Sequence, residues 1–188
     1  MKRMILSILA VFVVLFGTSF ALNETAYANY QKEHLQLLQT LLPGTTDFVL
    51  VPYDGEDANI RSVHKNEKGY VVETVTRGYA DDIRMYVAVD FDGDVMGLVV
   101  LEAHETYGLG SRILTDHVFL SQFLNGNGSF AAATADAFSG ATGEAETGDE
   151  TQVDAISGAT VSSKAVLAGV NTALQALSQM NLIGGEAE

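Results

Sequence analysis

The sequence contains no cysteine and few positive charges. Without cysteine there can be no disulfide, thiolate zinc site, iron–sulfur cluster or cysteine nucleophile, so any redox chemistry requires a bound organic cofactor. Lysine and arginine number 10 against 24 aspartate and glutamate residues, for a net charge of −14. A surface this negative is soluble and repels phosphate backbones, so the composition argues against nucleic acid as a ligand.

The chain has enough apolar material for one core and a single domain, with 47% hydrophobic residues over 188 positions. At its N-terminus Lys2 and Arg3 precede an uncharged apolar run from Met4 to Leu22, close to the roughly 20 residues that span a bilayer. We interpret residues 1–22 as an uncleaved single-pass anchor and 23–188 as the domain. The alternative is a signal peptide cleaved after Ala21 or Ala28. Both interpretations keep the N-terminus cytoplasmic and place the acidic domain outside.

Beyond Pro43 the apolar pattern changes from helical to extended. The segment "NYQKEHLQLLQTLLPG" predicts a helix, and strands are predicted in "FVLVPY", "NIRSVHK", "GYVVETVTR" and "IRMYVAVDFDGDVMGLVVLEAHE". Within the last segment Asp92-Gly93 predicts a hairpin turn. A calcium loop starting at Asp90 is excluded, because Val95 and Leu101 stand where such a loop needs Gly and Glu.

The C-terminal half contains two predicted helices separated by a segment poor in regular structure. A short amphipathic helix is expected around "TDHVFLSQFL", and a long one over "VSSKAVLAGVNTALQALSQM". Residues 125–150, rich in Gly, Ala, Thr and acid, predict a loop or weak hairpin. The expected fold class is therefore α+β: a small antiparallel sheet with flanking helices, preceded by the transmembrane helix.

One short pattern occurs twice, as "DAFSGAT" ending at Thr142 and as "DAISGAT" ending at Thr160. Only the second copy leads directly into a helix, whose free N–H groups and dipole favour a phosphate beside the Thr160 hydroxyl. Gly158 allows close backbone approach, and Ser162 or Ser163 can donate further hydrogen bonds. The first copy runs into "GEAETGDE", which repels phosphate. The alternative for the second copy is that Thr160, Ser162 or Ser163 only caps the helix.

The segment "DAISGATVSSKAV" resembles the flavinylation motif of the FMN-binding domain family, which is found in the G subunit of the Rnf complex and in the C subunit of the sodium-pumping NADH:quinone reductase. The resemblance extends over nearly the whole chain and includes the family's Glu-Thr-Pro-Gly-Leu-Gly loop, here Glu105 to Gly110. Two departures occur: Tyr107 replaces the usual Pro, and "GYADD" replaces a Gly-Gly at a strand end.

The resemblance implies an electron-transfer subunit with FMN joined through its phosphate to Thr160, in a bacterial inner or plasma membrane. By the same resemblance, a flavin transferase that Asp154 helps to recruit is expected to attach the FMN, and the expected partners are the other membrane subunits of an Rnf-type ferredoxin:NAD oxidoreductase. Further cofactor contacts are expected from the following residues: Ser157, Gly158, Ala159, Ser162, Glu105, Thr106, Leu109 and Gly110. No catalytic side chain and no metal site are expected. The alternatives are a solitary covalent-FMN domain serving another reductase and a non-flavin binding or scaffold module.

Overall fold

The structure is a computed structural model that describes residues 32–44, 47–133 and 151–184. Helix α1 covers residues 32–41, within the helix predicted there. None of the helices in these ranges combines the length and apolar character needed to cross a membrane. The predicted anchor at 1–22 and the first copy of the repeat lie outside the described residues. Those from Gln39 onward belong to one compact unit.

Five strands form one antiparallel sheet in the order in which they occur along the chain. They are β1 (Val49–Val51), β2 (Ile60–Lys65), β3 (Gly69–Arg77), β4 (Asp82–Asp90) and β5 (Val95–Ala103). In β3 the alternate residues Tyr70, Val72, Thr74 and Thr76 are all buried, as expected for a strand whose one face lies on the core. The predicted strands are confirmed.

The turn between β4 and β5 confirms the hairpin predicted at Asp92-Gly93. The Asp90 N–H donates to the Asp94 carbonyl at 3.0 Å, and Gly93 has a φ of +96°, which favours glycine. The Asp90 carboxylate accepts the N–H groups of Asp92 and Asp94 at 3.0 and 2.9 Å. This carboxylate therefore stabilises the turn itself.

The long helix α3 (Thr160–Gln179) packs its apolar face on β3 and β4. Its buried residues include the predicted Val166, Val170, Ala173, Leu174 and Leu177. The Thr76 hydroxyl donates to the Ala165 carbonyl at 2.8 Å, and a Cβ at Gly169 would lie 2.8 Å from the Met85 methyl group. The helix therefore approaches the sheet closely, which fixes the position of its first turn.

The segment between β5 and α3 differs from the prediction in two respects. Helix α2 (His117–Ser121) is shorter than expected, and a 3-10 helix (Gly110–Leu114) precedes it. Strand β6 (Phe130–Ala132) pairs in parallel with β7 (Thr151–Val153). Strands β6 and β7 therefore do not form a hairpin, because parallel strands cannot be joined by a tight turn. Residues 134–150, most of the segment predicted to be a loop or weak hairpin, lie outside the described residues.

Candidate functional site

A cavity of about 420 Å³ lies at the N-terminus of α3. Three segments form its wall: the turn between β3 and β4, the loop that follows β5, and the start of α3. The lining residues are Tyr79, Glu105, Thr106, Leu109, Gly110, Gly158, Ala159, Thr160, Val161 and Ser162. The volume is within the range of roughly 300–1,000 Å³ typical of small-ligand sites.

The start of α3 presents unpaired backbone donors to this cavity. Its first helical hydrogen bond runs from the Ser163 N–H to the carbonyl of Ala159, the N-cap residue, at 2.8 Å. Within the described ranges, the N–H groups of Thr160, Val161 and Ser162 have no acceptor. Three free donors at the positive end of a 20-residue helix form a site that favours an anion.

The side chains at the helix start show that the simple capping alternative is wrong. Ala159 is the N-cap, and it has no side chain that can cap. The Ser163 hydroxyl accepts the Ile156 N–H at 3.1 Å, and the Ser162 hydroxyl donates to Glu105. The half-buried Thr160 hydroxyl has no hydrogen-bond partner in the part of the chain that the structure describes. Thr160 therefore lines the cavity with its hydroxyl uncommitted.

The repeat motif before α3 is a preformed turn that exposes some of its members and buries others. Ile156 and Ala159 are buried, and the Ala159 N–H donates to the Ile156 carbonyl at 2.9 Å. Asp154, Ser157 and Gly158 are exposed. Gly158 has a φ of +78°, in the left-handed region, and a Cβ there would lie 3.1 Å from Leu109 Cδ2. Backbone geometry and the narrow space both favour glycine at this position.

Glu105 joins the three walls of the cavity. One carboxylate oxygen accepts the Ala80 N–H at 3.1 Å, and the other accepts the Ser162 hydroxyl at 2.5 Å. A Cβ at Gly110 would lie 2.6 Å from both the Glu105 carboxylate and the Ser162 oxygen. Among the lining residues that the structure describes none is Lys or Arg, so their positive potential comes from backbone N–H groups.

Two residues that were not predicted from the sequence also line the cavity. Tyr79 lines the cavity with 69% of its surface exposed, because the turn from Gly78 to Asp81 brings it there. The aromatic residue in the "GYADD" turn is the sequence signal that could have indicated Tyr79. Val161 also lines the cavity. Of the selected residues, Asp154 and Ser157 are exposed and lie outside the lining, and Glu105, Thr106, Leu109, Gly110, Gly158, Ala159, Thr160 and Ser162 meet within it.

An antiparallel sheet backed by a helix whose free N–H groups open into a small cavity defines a binding domain for a compact phosphorylated ligand. A comparison with known families identifies the kind of binding domain. The family model described as the FMN-binding domain matches residues 78–175, a range that contains all three walls of the cavity. The chain belongs to this family, as the motif predicted.

Two relatives and one solved structure resemble this chain over most of its length. The G subunit of the Na(+)-translocating ferredoxin:NAD(+) oxidoreductase complex of Acetobacterium woodii is 29% identical, covering 76% of this chain and 73% of that protein. The G subunit of the ion-translocating oxidoreductase complex of Methanosarcina acetivorans is 29% identical, covering 94% and 96%. The C subunit of the Na(+)-translocating NADH-quinone reductase of Parabacteroides distasonis has a TM-score of 0.56 at 18% identity, covering 83% and 93%, and supports the fold.

Proposed function

We propose that this protein is the FMN-carrying electron-transfer subunit of an ion-translocating, Rnf-type ferredoxin:NAD oxidoreductase complex. The observation that carries the proposal is the cavity at the start of α3, because it lies within the FMN-binding region and combines free N–H groups with an uncommitted threonine hydroxyl. Relatives that align with most of the chain are the G subunits of such complexes. FMN supplies one- and two-electron transfer when bound.

Thr160 is the proposed attachment point for FMN. Its hydroxyl oxygen would form the ester bond to the FMN phosphorus of a flavin dinucleotide while the pyrophosphate bond breaks and a nucleoside monophosphate leaves. The hydroxyl proton would pass to a base of a flavin transferase or to water, and no oxidation state would change. The N–H groups of Thr160, Val161 and Ser162, which have no backbone acceptor, would hold the phosphate oxygens. Gly158 leaves space for the phosphate to approach.

The remaining walls of the cavity are proposed to contact the flavin ring and the ribityl chain. Leu109 and Tyr79 offer apolar and aromatic surface for the ring, and Thr106 offers a hydroxyl. The Glu105 carboxylate holds the walls together through Ala80 and Ser162. Since a phosphoester leaves the ring itself unmodified, the protein tunes the flavin potential through these contacts and through nearby charge.

We further propose that residues 1–22 anchor the protein and that the domain acts outside the cytoplasm. The apolar run from Met4 to Leu22 behind Lys2 and Arg3 supports both statements. A covalent bond retains a cofactor in a compartment where free FMN is scarce. The electron donor and acceptor are then other membrane subunits of the complex, and the flavin transferase acts in the same compartment.

The test is to express the full chain with a flavin transferase and to compare two matched variants. Thr160→Val removes the hydroxyl and keeps the shape, so we expect it to abolish covalent flavin. Thr142→Val, in the first copy of the repeat, should leave the flavin stoichiometry unchanged. Flavin fluorescence of the denatured band and the intact mass report the attachment. A wild-type chain with the mass of the bare polypeptide, or a Thr160→Val chain that keeps its label, contradicts the proposal.

A further inference from the structure

We infer that Gln122 is a positioning residue for flavin attachment, since it fixes the backbone of Asp154 so that this carboxylate and Thr160 are presented to the transferase at a set separation. The inference rests on the proposed attachment at Thr160 and on the expected recognition of Asp154 by the flavin transferase. It assigns a role in modification to the C-cap residue of helix α2, 38 positions before the acceptor in the sequence. The test separates a failure of this inference from a failure of flavin attachment at Thr160.

One side chain satisfies both backbone polar groups of Asp154. The Gln122 Nε2 donates to the Asp154 carbonyl at 3.2 Å, and the Asp154 N–H donates to the Gln122 Oε1 at 2.8 Å. The primary amide presents a donor and an acceptor side by side, as a peptide group on a neighbouring strand does. Glu offers no donor and Lys offers no acceptor, so neither can replace both bonds.

Both ends of this clamp are attached to the core. Gln122 is the C-cap of α2, between the buried rings of Phe119 and Phe123. On the other side, Asp154 lies between the buried side chains of Val153 and Ile156. The Asp154 backbone is therefore fixed relative to the start of α3, to which the Ser163 hydroxyl ties Ile156.

The Asp154 side chain is left free by the same arrangement. It is exposed, and in the described ranges its carboxylate accepts no hydrogen bond. A side chain that does nothing for its own fold while its backbone is held on both sides is presented for an external partner. An enzyme that reads Asp154 and modifies Thr160 needs the two at one fixed distance. Without the clamp it would have to order the Asp154 backbone on binding.

The chain provides a matched control for the clamp. The Asn171 side chain makes the same reciprocal pair with the backbone of Phe130, accepting its N–H and donating to its carbonyl, both at 2.9 Å. That clamp acts on Phe130, whose strand partner is Thr151, and it makes no hydrogen bond to the motif itself. Asn171→Leu therefore removes an equivalent pair of hydrogen bonds and reports what the loss of a clamp does through stability alone.

The experiment measures the rate of FMN transfer to the detergent-solubilised full chain, with purified flavin transferase and flavin adenine dinucleotide. At subsaturating concentrations of the chain we expect Gln122→Met to lower kcat/KM for FMN transfer at least about fivefold. This factor corresponds to the entropy cost of ordering the backbone of one residue. The final stoichiometry should stay at the wild-type level, and Asn171→Leu should keep the wild-type rate. Gln122→Glu retains the acceptor for the Asp154 N–H and should give an intermediate rate.

A double-mutant cycle tests whether Gln122 acts through Asp154. In an Asp154→Asn background, Gln122→Met should cause no further loss, because effects through one shared partner are not additive. If the rate losses of the two single variants multiply in the double variant, the inference is overturned. A Gln122→Met rate equal to that of Asn171→Leu also overturns it. Thermal melts of each variant show that it is folded. A wild-type chain that takes up no flavin overturns the attachment and this inference with it, whereas labelled wild type with an unaffected Gln122→Met overturns the inference alone.

Discussion

The Ser162 hydroxyl donates a 2.5 Å hydrogen bond to the carboxylate of Glu105, 57 residues earlier in the chain. The other oxygen of Glu105 holds the Ala80 N–H, beside Tyr79. A single carboxylate therefore connects the first turn of α3, the loop after β5 and the turn between β3 and β4. The shape of the cavity depends on this connection.

Removing the Ser162 hydroxyl should destabilise the domain. Ser162 is buried and its bond is to a charged group, so we expect Ser162→Ala to lower the free energy of unfolding by about 1.5–3 kcal/mol. Urea unfolding followed by circular dichroism measures it. The control is Ser121→Ala, whose exposed hydroxyl bonds only within its own turn and whose loss should cost under about 0.5 kcal/mol. Equal losses in the two variants would contradict the role given to this bond.

Adding one methyl group at Gly110 should disturb the same connection. The new Cβ would lie 2.6 Å from the Glu105 and Ser162 oxygens, so Gly110→Ala should lower the free energy of unfolding by about 1–3 kcal/mol through overpacking. Gly108 is the matched position, because a Cβ there meets nothing within 4 Å. Among side-chain residues asparagine tolerates a φ of +74° comparatively well, so Gly108→Asn should lower the free energy of unfolding by less than Gly110→Ala does in the same urea titration. A neutral Gly110→Ala would show that Glu105 moves aside freely.

Tyr79 should contribute to flavin affinity in a way that Tyr107 does not. Tyr79 lines the cavity, whereas Tyr107 is 97% exposed and lies outside the lining. In a Thr160→Val background, which blocks attachment, Tyr79→Leu should weaken binding of free FMN by about 2- to 10-fold, the worth of one aromatic contact. Tyr107→Leu should leave the binding unchanged. Fluorescence titration measures both, and equal effects would place the ring elsewhere.

The N-terminal segment should hold the full chain in the membrane. Because Met4 to Leu22 is uncharged and apolar, we expect the protein to stay in the membrane fraction through high-salt and alkaline washing. Immunoblotting of pellet and supernatant measures the distribution. An N-terminal sequence of the mature protein beginning at Leu22 or Asn29 would identify a cleaved signal peptide instead.

The central sheet and the long helix could be predicted because their signals are local. The period-2 pattern of β3, the Asp92-Gly93 turn and the apolar face of α3 each lie within one short stretch. The pair β6 and β7 has three residues per strand and a partner across a long connection, so neither length nor periodicity indicates it. Its parallel pairing is a property of the tertiary fold.

Some residues of the candidate site could likewise be predicted from local sequence, and others could not. Thr160 and Gly158 could be predicted because their motif precedes a helix. The loop at Glu105 could be predicted from the resemblance to the FMN-binding domain family. Tyr79 reaches the cavity from the turn whose Ala80 N–H donates to Glu105, and Gln122 reaches Asp154 through two hydrogen bonds to its backbone. These contacts join residues 25 and 32 positions apart, and no spacing rule in the sequence encodes them.

The described part of the cavity lining contains no lysine or arginine, and this affects how the site responds to its surroundings. Backbone N–H groups have no titratable proton, and a point substitution does not remove them unless it introduces proline. The attraction of the helix start for a phosphate is therefore built into the course of the main chain and persists across acid and alkaline conditions.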